Sequence, residues 1–522
     1  MTALPETSAP ILPRLLFVTG CTREVEEYFQ LSAVQPWVEG LGHHFQIEVV
    51  QDAECLLTVA EKFGPDLVLF FGAKYQLLYS GPALDFRERL GVPVVALSLM
   101  DAHSPAREAF FAQASRLGVE AIFTIDTGMR EMAGDFAPMI FYCPWFVNEK
   151  MSYDFALPKT VPIALIGDGF VSTGNDWRYP WRREVAGRLL EHFPVFTSPR
   201  PGKNYSHRMV GAAYGQMLNR SWLALACGAS RHIFMKKNLE IPASRCCLVT
   251  EPNDALVHLG FRDGENCLFA TPDDVLEKCR DMLADPTRLL EITDRGRAFV
   301  LENHRAIHRT VIADWLACRQ RLGAGQRILQ KEICGPLEVT GDNDGRESIH
   351  LGAHSPFQLA LEEARRFWRV GEYAASAAAA ARAGHLLRQT TEPSLLLAWA
   401  ALGRQQPQEA LGELRAILLR SVQRAAMTPD PLIWATYLLG LKLAGHHREA
   451  TLFAGSFPDL RHPLLDRIKS ILLPQWEAVP TRYQPSALFP PWSSAEELTR
   501  FLEPLLARIQ ENPLPNEVTS QA

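Results

Sequence analysis

Val161-Pro-Ile-Ala-Leu-Ile-Gly-Asp-Gly169 is an apolar run that ends in a glycine turn. A run without polar alternation fits a strand buried on both faces, and such strands belong to parallel sheets covered by helices. Five similar runs precede it, with helical spacing between them: Leu15-Leu-Phe-Val-Thr-Gly20, Phe45-Gln-Ile-Glu-Val-Val50, Asp66-Leu-Val-Leu-Phe-Phe-Gly72, Val92-Pro-Val-Val-Ala-Leu97 and Ala121-Ile-Phe-Thr-Ile125. Trp222-Leu-Ala-Leu-Ala226, Cys246-Cys-Leu-Val-Thr250 and Asn266-Cys-Leu-Phe269 continue the series after it. Strands alternating with helices predict an α/β protein with mostly parallel sheets, in two similar domains that enclose a cleft.

With 522 residues, 47% hydrophobic and 21% charged, the chain can bury a sizeable core and divides into about three domains. A formal charge of -6 gives no global attraction to nucleic acid or to an anionic membrane, so an anionic ligand must be met by a local patch. The ten cysteines show no C-x-x-C spacing and read as buried reduced thiols, which predicts a cytoplasmic protein. The first eight residues lack a basic region followed by an apolar core, and no segment approaches the roughly 20 apolar residues that span a bilayer.

Residues 1–150 form the first α/β domain on this reading and 151–323 the second. Residues 324–355 read as a linker with turns, because Gly323-Ala-Gly-Gln326, Asp342-Asn-Asp-Gly345 and His354-Ser-Pro356 break both periodicities. Residues 356–475 are rich in Ala and Leu with helical spacing. Trp368-Arg-Val-Gly-Glu-Tyr373, Ala401-Leu-Gly-Arg-Gln-Gln-Pro-Gln-Glu-Ala410 and Leu443-Ala-Gly-His-His-Arg-Glu-Ala450 look alike, and each resembles the helix-turn-helix junction of a tetratricopeptide repeat. Stacked pairs of that kind form a concave surface suited to peptides or partner proteins. Residues 476–522 are a Pro-rich tail with one amphipathic helix, near Ser494 to Gln510, that caps the last helix pair.

Ligands of open parallel sheets bind beyond the carboxyl ends of the strands. The residues just past each run are Gly20, Thr22, Lys74, Tyr75, Asp101, His103 and Asp126 in the first domain. In the second they are Gly167, Gly169, Ser172, Thr173, Ser198, Arg200, Gly228, Ser230, Glu251 and Asn253. Lys237-Asn238-Leu-Glu240-Ile-Pro242-Ala243, followed by Cys246-Cys-Leu-Val-Thr250-Glu251-Pro252, adds a polar pair and a carboxylate where such a sheet binds a nucleotide.

Four features of residues 140 to 315 resemble the carboxyl half of a GT-B fold glycosyltransferase of the group 1 or CgeB-like branch. They are the turn Ile166-Gly-Asp-Gly169, the basic helix start Arg178-Tyr-Pro-Trp-Arg182-Arg183, the Lys237 to Ala243 segment, and the stretch from Gly264-Glu-Asn-Cys-Leu-Phe269 through Asp285-Pro-Thr-Arg288 to Asn303-His304. The resemblance implies two Rossmann-like domains in GT-B arrangement, followed by an all-α helical-repeat domain. It gives Glu240 the ribose of a nucleotide diphosphate sugar, Lys237 and Asn238 the diphosphate side, and Gly167 and Gly169 the close backbone approach. Many retaining relatives carry a second glutamate eight positions earlier, where this chain has His232. The anomeric outcome is therefore open.

Arg178 and Arg182 lie four apart, and on a shared helix face they could neutralise the diphosphate leaving group; Arg183 is the lesser candidate. An inverting reaction needs a general base from the first domain, and Asp101 with His103 are the candidates there. Metal chemistry has little support, since His304 and His308 have no third ligand beside them and Asp342-Asn-Asp344 reads as a turn. No cofactor is expected beyond the donor substrate, with a UDP-sugar foremost. A repeat domain fused to a transferase suggests a protein acceptor, flagellin or another surface protein. The alternatives are a lipid-linked or polysaccharide acceptor, and a non-enzymatic scaffold with a degenerate transferase domain.

Overall fold

The computed structural model describes residues 12–19, 33–51, 56–72, 91–104, 106–167, 178–198, 211–351, 355–423, 428–473, 475–476 and 483–511. Gly20, Thr22, Lys74, Tyr75, Gly169, Ser172, Thr173 and Arg200 lie outside them. The chain gathers into two compact units. The first contains Met1–Asp101, Arg116–Gly128 and Met139–Ala353, and the second Ala102–Ser115, Met129–Pro138 and His354–Ala522.

The first unit holds two parallel sheets of Rossmann type. One runs β2 (Gln46–Val50), β1 (Arg14–Thr19), β3 (Leu67–Gly72), β4 (Val94–Ser98), β5 (Ala121–Thr124) and β6 (Ile140–Tyr142) in that spatial order. The other runs β11 (Leu268–Phe269), β10 (Cys247–Thr250), β9 (Ser221–Leu225), β7 (Val161–Ile166) and β8 (Val195–Ser198). The continuous apolar reading holds best in the centre: all of β3 and β4 are buried. Edge strand β8 is mostly part-exposed, and its Val-Phe-Thr-Ser sequence shows no apolar run.

After the second sheet the chain returns to the first. Val311, Ile312, Trp315 and Leu316 of the helix Val311–Gln320 join the core formed by Leu15, Phe17, Trp37 and Leu69. Residues 324–355, read as a linker, carry the antiparallel hairpin β12 (Gln326–Gln330) and β13 (Leu337–Gly341). The fully buried Gln330 accepts from the Tyr142 amide at 2.7 Å and donates to the Tyr142 carbonyl at 2.8 Å. It thereby satisfies the backbone of edge strand β6. Asp344 forms the expected turn, its amide on the Gly341 carbonyl and its carboxylate on Thr340 Oγ1 at 2.6 Å.

The second unit is helical. Pro356–Arg369, Tyr373–Leu386, Glu392–Gly403, Pro407–Gln423, Pro431–Leu443, His447–Ala454 and Pro463–Leu472 follow one another with short connections. The three look-alike stretches make one and the same turn. Gly371, Gln405 and Gly445 are left-handed, and the next amides, Glu372, Gln406 and His446, reach back to the carbonyls of Phe367, Ala401 and Leu441 at 2.8–2.9 Å. This is the Schellman stop, which satisfies carbonyls at a helix end.

The helix Pro431–Leu443 is buried at every position from Pro431 to Leu441, and Glu392–Gly403 at nearly every position. A helix that is apolar all round has neighbours on every side. Leu488, Trp492, Phe501, Leu502 and Leu505 pack on the same core, with Trp399 4.8 Å from Trp492 and 5.5 Å from Phe501 between ring centroids. The segment Ala102–Ser115 joins through an ion pair between Arg107 and Glu392, whose side chains are 2% and 3% exposed. A concave groove open to a partner would need a polar or exposed stripe on these two helices, and the described residues show none. Nor does any described helix have the length and apolarity to cross a membrane.

Removing one member of a buried ion pair strands the other charge. Arg107→Ala is expected to destabilise the helical unit by about 3–5 kcal/mol, read as an earlier calorimetric transition of the full chain. An unchanged transition would mean that Glu392 reaches water.

Candidate functional site

In the second sheet, chain order reverses between β7 and β9, which places the crevice for a ligand beyond their carboxyl ends. Gly167 follows β7 with φ +114°, and its amide bonds the Ser198 carbonyl at 2.8 Å. A Cβ at this position would stand 2.4 Å from Lys237 Nζ. The dihedral favours glycine here, whereas the Lys237 ammonium, the end of a flexible side chain, would only have to shift to admit a Cβ. Lys237 donates to the Ile166 carbonyl, and its ammonium lies 6.0 Å from the Tyr214 ring centroid.

The helix Lys237–Ala243 is the segment that sequence had marked. Asn238, expected on the diphosphate side, is fully buried and fastens the preceding loop by accepting from the Met235 amide at 2.8 Å. Burial without an accessible atom gives it a structural part. Glu240 is also buried, with Oε1 3.1 Å from Lys236 Nζ, and the same ammonium lies 5.5 Å from the Trp145 ring.

The expected shared helix face of Arg178 and Arg182 does not form. The helix begins at Pro180, and Tyr179 before it is non-helical at φ −130° and ψ 59°, so Arg178 lies outside. The two guanidinium groups meet instead on the Tyr179 ring, 5.3 and 4.4 Å from its centroid. Arg178 is ion-paired with Asp101, which follows β4 of the first sheet. Burial opposes the charge of Arg182, yet Cys227, Tyr179 and Glu251 around it outweigh that and hold its pKa above the ordinary value. Arg183 is exposed. His103 is buried and belongs to the second compact unit.

Sequence flagged Gly228 and Glu251 by position alone; the structure joins them. Glu251, at the end of β10, accepts from the Gly228 amide at 2.7 Å and has its other oxygen 3.8 Å from His232 Nε2. Between them the backbone is left-handed at Ala229 (φ 58°) and His232 (φ 54°), each costing about 1–2 kcal/mol in a non-glycine residue. Arg231 holds the same loop from the other side: fully buried, it donates to the Gly128 carbonyl at 3.1 Å. Burial pushes the Glu251 carboxyl up to about 7, against the Gly228 bond and Arg182, which lower it. Burial lowers the His232 pKa, so that imidazole is neutral near pH 7.

Arg309 is a second joint that sequence reasoning missed. It donates to the carbonyls of Pro144 at 3.1 Å and Trp145 at 2.9 Å, and to His304 Nδ1 at 2.9 Å. Since arginine only donates, His304 carries its proton on Nε2 and donates to the Leu259 carbonyl at 3.1 Å. Burial and Arg309 press its pKa down to about 3. No local signal distinguishes Arg231 or Arg309 from a solvated loop arginine. Among the described residues no group of three or more His, Cys, Asp or Glu could hold a metal ion, and the eight described cysteines are free.

Residues 159–317 match the model of a family described as glycosyl transferase-like. No curated protein matches the chain. Solved structures similar to it include Anabaena HepE in complex with UDP and glucose, at 14% identity over 58% of this chain and 99% of that one, with a TM-score of 0.35. Sucrose-phosphate synthase from Thermosynechococcus elongatus is 13% identical over 59% and 99%, with a TM-score of 0.36. An α1,3-fucosyltransferase with GDP is 10% identical over 57% and 85%, with a TM-score of 0.35.

The Glu251 carboxyl gives a stability test. Its folded pKa of about 7 lies above the ordinary 4.5, so its favourable contribution is complete below pH 4.5 and is lost as pH rises to about 7. Glu251→Gln is expected to gain on the wild type by roughly 2–3 kcal/mol between about pH 5 and pH 8 in denaturant titrations. A constant difference would place Glu251 in contact with water.

Proposed function

We propose that this protein is a glycosyltransferase that takes a sugar from a nucleotide diphosphate sugar seated in the crevice between β7 and β9, in a GT-B arrangement of the two parallel sheets. The observation that carries the reading is the Lys237 ammonium lying on Gly167 at the switch point of a sheet inside the glycosyl transferase-like stretch. There the backbone admits close approach, and Lys237, Arg182 and Arg178 supply fixed positive charge for the diphosphate that departs as the glycosidic bond breaks. Glu240 is assigned to the ribose hydroxyls through its carboxylate. With that charge in place the transfer needs no resident metal, and a UDP-hexose is the donor to test first. The described cysteines are free, all but Cys334 buried, which fits a cytoplasmic setting.

The acceptor hydroxyl must lose a proton, and Asp101, ion-paired with Arg178, is the carboxylate assigned here to accept it. Asp101→Asn should then lower kcat by about 10²–10⁴ while donor affinity stays within a few-fold. A protein acceptor such as flagellin, held in a groove of the helical unit, would need an open face on the helices 392–403 and 431–443. Their burial favours acceptor recognition by the first sheet's loops.

A ligand that binds only the native state stabilises it by about 2.7 kcal/mol at a hundredfold excess over Kd. In a thermal-shift screen of UDP, GDP, CDP, TDP and ADP, one nucleotide is expected to raise Tm by several degrees. Lys237→Ala and Glu240→Ala should abolish the shift. No shift with any of the five would favour a scaffold with a degenerate transferase domain.

A further inference from the structure

The donor reading leaves one buried carboxyl of the crevice without a part. Glu251 is 5% exposed at the end of β10, with one oxygen on the Gly228 amide at 2.7 Å and the other 3.8 Å from His232 Nε2. The groups facing it are Arg182 from the helix Pro180–His192, Cys227 two residues past β9, and His232 from the following loop, itself beside Asp254. Burial pushes the Cys227 thiol up to about 11 and lowers His232, so both are neutral near pH 7. The charge facing Glu251 is then that of Arg182. A diphosphate placed against Lys237 and Gly167 adds negative charge to the same crevice, which disfavours a second buried anion.

Resting on the donor-site reading, we infer that Glu251 takes up a proton from solvent when the nucleotide sugar binds, so that the site holds its anionic ligand with a neutral acid at Glu251 and the Arg182 charge serves the diphosphate. Only an O–H bond forms. The Gly228 amide keeps its acceptor oxygen, and the proton sits on the oxygen nearer the neutral His232 ring. The titration of Glu251 at about pH 7 puts this coupling within the ordinary working range. Glu251 acts on donor affinity through charge, as a positioning residue, without touching the reacting bond.

Calorimetric titration of the full chain tests this, with UDP-glucose and GDP-mannose as probes, in buffers of different ionisation enthalpy. Both probes are diphosphate diesters and lack the phosphomonoester titration near pH 6 that would confuse free nucleotides. Affinity should fall by up to about tenfold per pH unit above neutrality, with net uptake approaching one proton at about pH 8. Glu251→Gln should keep high affinity across that range without uptake, and His232→Asn should keep the uptake. Binding by the wild type with no uptake and a flat pH profile overturns the inference, as does uptake that persists in Glu251→Gln or vanishes only in His232→Asn. Should Glu251→Gln fail to fold, the wild-type proton count decides, together with an infrared difference spectrum expected to show a carboxylate becoming a carboxylic acid on binding. If neither probe binds the folded wild type at any pH, the donor-site reading itself fails.

Discussion

Parallel strands cannot be joined by a tight turn: the chain must cross a face of the sheet before it can pair again, and that crossing collects all the carboxyl ends on one edge. The site follows from this constraint. Gly167, Gly228 and Glu251 are distant in sequence, yet each lies within three residues of the carboxyl end of a strand of the second sheet. They meet because three crossovers end on the same edge. Lys237 reaches that edge from a short helix and lies over Gly167, whose φ of +114° favours glycine.

The crevice is polar, and its cations are held in place. Arg178 is held by Asp101, Lys237 by the Ile166 carbonyl, and Arg182 by the Tyr179 ring and its neighbours. Fixed charge of this kind needs no reorganisation when negative charge develops in front of it. Burial makes an ionised carboxylate costly, and against the nearby Arg182 charge it holds the Glu251 proton to about neutral pH. The left-handed Ala229 and His232 add backbone strain, which the Glu251 and Arg231 hydrogen bonds restrain.

The helical unit shows what local pattern can and cannot convey. Its three matching turns were legible, because a left-handed stop followed by small residues leaves a sequence mark. That the helices 392–403 and 431–443 are closed on all sides was legible only in part: their uniform apolarity signals burial but not what does the burying. The cover includes residues near 490 and 501 and the segment around Arg107, which is remote in the chain. In the first unit, Lys237, Glu240, Gly167 and the position of Glu251 were read from local spacing. The Arg178 to Asp101 pair, the Gly128 contact of Arg231 and the reach of Arg309 to the Pro144 and Trp145 carbonyls were not, since each joins residues with no spacing relation.

By itself, the sequence determined the class of the sheets, the strand ends where polar residues gather, and the change to helices after the second sheet. These are properties of hydrophobic period and turn chemistry, which act over a few residues. Tertiary structure alone decided that Arg178 stands outside its helix, that Asn238 is buried, that the return helix 311–320 packs on the first sheet, and that the Arg182 charge acts on the buried Glu251. Each depends on which distant groups compete for the same space or charge, and that competition begins only when the chain has folded.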